Sequence, residues 1–132
     1  MKDTRRFYKE LGNLLYAIAS ADKNISPEEK KKLDEEVQFA WRHYDDSRDR
    51  FGTDRAFLIE FEFEAMEDQM ATSEEAFRSF KDYFNENKNE IDDLTRKRIF
   101  NSAKHIAESV RKINAAEHKY LDRLKKLLKE QN

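Results

Sequence analysis

Two distant stretches of the chain follow one pattern. Ile18-Ala19, five residues, Ile25-Ser26, then Glu29 and Leu33 is matched by Ile106-Ala107, five residues, Ile113-Asn114, then Glu117 and Leu121. Every matched position is offset by 88, and Leu11 pairs with Ile99 at the same offset. In each copy an apolar helix ends, a short turn follows, and an N-cap residue opens a new helix. Two such copies confine the chain to helix pairs joined by tight turns.

Reading outward from these junctions yields the remaining helices. Phe7, Leu11, Leu14, Leu15 and Ile18 recur at helical spacing and predict a first helix from Thr4 to Ser20. Ser26-Pro27-Glu28-Glu29 supplies an N-cap, a proline at the first helical position and the glutamate of a capping box. Leu33, Val37, Ala40, Trp41 and Tyr44 then form a buried stripe, and a polar loop with Gly52 runs from Asp45 to Thr53.

Residues 57–64 alternate as a half-buried strand would, with Phe57, Ile59, Phe61 and Phe63 at every second position. No second strand is available to pair with them, and a lone strand leaves backbone groups unsatisfied. Continuation through Ala65, Met66 and Met70 makes the segment a helix. Thr72 to Glu75 is a further capping box, followed by Ala76, Phe77, Phe80 and Phe84. After an Asn-rich break at 85–90, Asp92 or Asp93 opens a helix carrying Leu94, Ile99, Ala103, Ile106 and Val110. Asn114 with Glu117 caps the last helix, whose apolar face is Tyr120, Leu121, Leu124, Leu127 and Leu128. The expected fold is all-α: one domain, residues 1–132, a compact bundle of six helices, or seven with a short one near Ser47. Its aromatic core is expected from Trp41, Phe57, Phe61, Phe63, Phe77, Phe80 and Phe84.

Composition removes several function classes. There is no cysteine, which excludes a disulfide framework, a zinc-thiolate site and thiol catalysis, and fits a reducing compartment. No segment approaches the roughly 20 apolar residues of a membrane span, and the charged first residues lack a signal-peptide core, so a cytoplasmic protein is expected. No nucleophile elbow or Gly-rich phosphate loop is present, and none of His43, His105 and His118 lies in a Glu-x-x-His motif. The chain reads as non-catalytic.

The segment Ile18-Ala19-Ser20-Ala21-Asp22-Lys23-Asn24-Ile25-Ser26-Pro27-Glu28-Glu29 resembles the signature of the TerB-like family, named for tellurite resistance. Those domains read Ala-x-x-Asp-Gly-x-Ile-Ser-x-x-Glu at a helix junction, with a related junction near the C-terminus. The resemblance implies a compact helical domain, a bacterial stress-response or tellurite-resistance setting, and divalent-metal binding through acidic residues. Asp22 and Glu29 are the positions that match directly. Lys23 stands where the family carries Gly, and Val110 where the second copy would carry Asp.

Asp22 also suits a plain turn, since Asp side chains bond to backbone N–H groups two residues on. An EF-hand is rejected: its first position is Ile18 and its sixth Lys23, where a carboxylate and Gly are needed. Glu60, Glu64 and Glu67 fall at i, i+4 and i+7 on one helix face, and adjacent like charges destabilise it. Hydration, a basic neighbour or a hard divalent cation would offset that repulsion. The candidate metal ligands are therefore Asp22, Glu29, Glu60, Glu64 and Glu67, with calcium, magnesium or zinc as the ion. These acidic residues are expected to share one pocket.

Charge is unevenly distributed. Residues 1–44 carry 9 basic and 8 acidic side chains, 45–95 carry 6 and 16, and 96–132 carry 11 and 4. The acidic middle and basic C-terminal helices either complement each other or dock a protein partner. Peripheral contact with an anionic membrane surface stays open. A pI of about 6.0, with Glu108, Glu117 and Asp122 interrupting the basic face, argues against nucleic acid.

Overall fold

The computed structural model describes residues 3–42, 44, 55–109 and 113–129. These form six α-helices: α1 Thr4–Ala19, α2 Pro27–Glu36, α3 Leu58–Asp68, α4 Ser73–Asn87, α5 Asp93–Glu108 and α6 Ala115–Leu128. A π-helical turn, Val37–Trp41, extends α2, and single 3₁₀ turns precede α3 and follow α4. No strand occurs among the described residues, so residues 58–68 are helical as the missing partner strand implied.

Capping explains the helix starts. The side chains of Asp3, Ser26, Thr72, Asp92 and Asn114 each accept from the backbone N–H three residues on. Each such cap contributes about 1 kcal/mol. The polar break begins later than the composition suggests, because α4 runs to Asn87 before the turn at 88–90. The expected loop at 45–53, its short helix and Val110 lie outside the described residues.

α1 is the central helix. From Phe7 to Ala19 every residue but Lys9 and Glu10 is buried, and α3, α4, α5 and α6 all pack against it. Its crossing with α3 is close: a Cβ on Gly12 would stand 2.5 Å from the Ile59 carbonyl oxygen. The π turn aims Trp41 at α5, where its indole N–H donates to Ser102 Oγ at 2.9 Å and Ser102 donates to Glu36 at 2.7 Å.

Trp41, Phe63, Phe77, Phe80 and Phe84 lie in the core, and Phe57 packs at its edge. Phe61 does not belong there. It is 64% exposed, because on a helix Ile59 and Phe63 share the inward face and Phe61 points away from both. Leu94 and Met70 are likewise exposed; Met70 falls beyond the end of α3 in a left-handed conformation (φ 55°).

Candidate functional site

The acidic residues form two groups rather than one pocket. The first joins the two repeated junctions. Ser26 N–H donates to Glu29 Oε1 at 2.9 Å and Glu29 N–H to Ser26 Oγ at 3.1 Å. The second copy repeats this reciprocity, Asn114 N–H to Glu117 Oε1 at 3.1 Å and Glu117 N–H to Asn114 Oδ1 at 2.8 Å. Both glutamates are buried, 3% and 4% exposed, and their carboxyls stand close enough to act on each other.

Two neighbouring carboxyls taken out of water favour the protonated form, because burial and like charge both oppose ionisation. Burial pushes Glu29 up to about 7, with Glu117 and Asp22 adding repulsion, and burial raises Glu117 as well. Asp22, exposed, ties the copies together: Oδ1 accepts from Asn24 N–H at 3.0 Å and Oδ2 from Asn114 Nδ2 at 3.0 Å. The turn is strained at Lys23, whose φ of 66° lies in the left-handed region that favours glycine. That is the position at which the resembled signature carries Gly.

The second group lines a cleft of about 380 Å³ between α2 and α3, formed by Lys30, Leu33, Asp34, Glu60, Phe63, Glu64, Glu67 and Asp68. Burial pushes Glu60 up to about 7, and the neighbouring carboxylates of Asp34 and Glu64 raise it further. Glu60 Oε1 is buried without a hydrogen-bond partner. Glu67 is engaged by Lys30 at 2.9 Å.

Thus Asp22 and Glu29 belong to the junction, whereas Glu60, Glu64 and Glu67 belong to the cleft. Asn114, Glu117 and Asp34 complete the two groups. The offset of 88 already marked Glu117 as the counterpart of Glu29, but Asp34 carried no such sign. Among the described residues no three His, Asp or Glu side chains stand around a common ion position. The two groups differ in what they can offer an ion. At the junction one oxygen of each glutamate is committed to a helix N-terminus, and both Asp22 oxygens accept hydrogen bonds. In the cleft a buried oxygen is unsatisfied beside two further carboxylates, a donor set that suits a hard cation.

The histidines remain apart from both groups: His118 is exposed, His105 pairs with Glu36 at 3.0 Å, and His43 lies outside the described residues. No helix among the described residues is long and apolar enough to cross a membrane. Comparison of the chain with protein-family models, curated proteins and solved structures finds no match.

Proposed function

We propose that the chain is a non-catalytic, TerB-like cytoplasmic module that takes up a divalent cation in the cleft between α2 and α3. The stress-response or tellurite-resistance setting rests on the Ile18–Glu29 segment and its repeated counterpart. The observation that carries cation uptake is the buried, unpartnered Glu60 Oε1 beside Asp34 and Glu64. An unsatisfied buried acceptor costs about 1–3 kcal/mol, which a cation would offset. Glu60 and one neighbouring carboxylate, Asp34 or Glu64, would hold the ion with water through oxygen alone, which favours calcium or magnesium over zinc. Binding would displace the Glu60 proton, so its heat would vary with the ionisation heat of the buffer.

Calorimetric titration with calcium, magnesium and zinc tests this reading. Heat and a rise in melting temperature are expected for the native chain, with both lost in Glu60→Ala. No heat and no shift at millimolar metal would sink it.

A second reading is a metal-free adaptor that docks a protein through its acidic middle or basic C-terminal helices. A lysine-rimmed groove between α5 and α6 favours it. Under that reading, native chain and Lys125→Glu chain retain different proteins from a cell extract; identical sets would remove it.

A further inference from the structure

The groove between α5 and α6 encloses about 500 Å³ and is preformed. Arg96 at its base donates to the carbonyls of Lys88 (2.7 Å), Ile91 (2.9 Å) and Leu128 (2.8 Å). Its guanidinium also lies over the Phe84 ring at 4.9 Å. These bonds tie the end of α6 to the start of α5 and hold the groove open. Phe100 and Leu128 give it an apolar floor, and the exposed Lys97, Lys125 and Lys129 rim it. None of these three lysines is in an ion pair among the described residues. Asp93 is the one carboxylate of the lining among the described residues.

An apolar trough with cationic edges on both walls matches an acidic helix that presents an apolar anchor. The chain carries such a helix. On α3 the exposed Phe61, Glu64 and Asp68 stand at i, i+3 and i+7, one continuous face. Glu64 and Asp68 have no basic partner among the described residues.

We infer that the α5–α6 groove receives the Phe61 face of α3 from a second copy of the chain. Phe61 fills the trough over Phe100 and Leu128, and Glu64 and Asp68 meet the rim lysines. The two surfaces differ, so the contact is head-to-tail and extends to further copies unless it closes into a ring. The inference narrows the metal-free adaptor reading to one occupant.

Sedimentation velocity on the full chain, in chelator so that the cleft holds no cation, tests it. The expected result is concentration-dependent growth in mass at low salt, reversed at high salt. Phe61→Ser and Lys125→Glu, each confirmed folded by thermal melting, should each weaken association by about tenfold or more. Lys97→Glu serves in place of Lys125→Glu if the latter fails to fold. Mixing the two variants is the decisive arm: one keeps an intact groove, the other an intact α3 face, so they should form a one-to-one dimer that grows no further. A native chain that stays monomeric, variants that associate like the native chain, or a mixture that gives no dimer would each overturn the proposal. A monomeric chain removes only this occupant; the adaptor reading stands or falls on the extract comparison.

Discussion

The junction and the α2–α3 cleft both hold a glutamate raised to about 7 by burial, yet the two carboxyls have different surroundings. Glu29 is held by a helix N-terminus, as is its neighbour Glu117, and each completes its own capping box. Glu60 caps no helix end: it stands beside Asp34 and Glu64, and its Oε1 is buried without a hydrogen-bond partner. A displaced pKa therefore does not mark a binding site by itself. Hydrogen-bond satisfaction separates the group that builds the fold from the group that can receive something.

The contrast can be broken most strongly by pH. A carboxyl whose folded pKa is raised binds its proton more tightly in the folded chain. Its contribution is complete below the unfolded value of 4.5 and is lost as pH rises to about 7. Denaturant melts should thus show greater stability at pH 5 than at pH 8, by roughly 2.5 kcal/mol for Glu29. Glu29→Gln, which mimics the protonated form, should flatten the profile and raise stability at pH 8. A profile that is level or falls toward pH 5 contradicts the buried pair. Glu74 sets the opposite limit: hydrogen bonds from Arg123 hold it down to about 2, so its contribution is lost as pH falls below 4.5.

Next in size is truncation. Glu29→Ala leaves the Ser26 N–H without its acceptor and should cost about 2 kcal/mol by denaturant unfolding at pH 5. Glu60→Gln at pH 8 should be neutral or stabilising, since it removes a poorly solvated charge. Equal losses at both sites would erase the distinction between them.

Lys23→Gly comes third. Removing the side chain at φ 66° should stabilise the chain by about 1 kcal/mol, read as a higher melting temperature. The smallest effect belongs to Lys30→Gln. The exposed Lys30–Glu67 pair is worth under about 0.5 kcal/mol, so melting should hardly move. Freeing Glu67 should nevertheless strengthen cation uptake in the cleft, measured by calorimetry.

Much of the fold was legible along the chain. Ser26 with Glu29, Thr72 with Glu75 and Asn114 with Glu117 are local signals, and each starts a helix where its spacing placed it. Phe61 was misplaced because the aromatic residues of 57–63 were all assigned to the core, although the helix expected there turns Ile59 and Phe63 inward and Phe61 outward. The site was harder to read. The repeat showed that Glu29 and Glu117 are equivalent, but equivalence along the chain does not say that two turns face each other. Asp34 meets Glu60 only because of how α2 lies on α3, and that angle comes from packing of the whole core.

The bend in hydrogen bonding at Val37–Trp41 has a practical consequence. It buries the only tryptophan completely, against Ser102 of another helix and within 5.7 Å of the Arg98 guanidinium. The chain thus carries its single tryptophan fluorophore at the seam between two helices. A shift in its emission would register any loosening of that seam without a label.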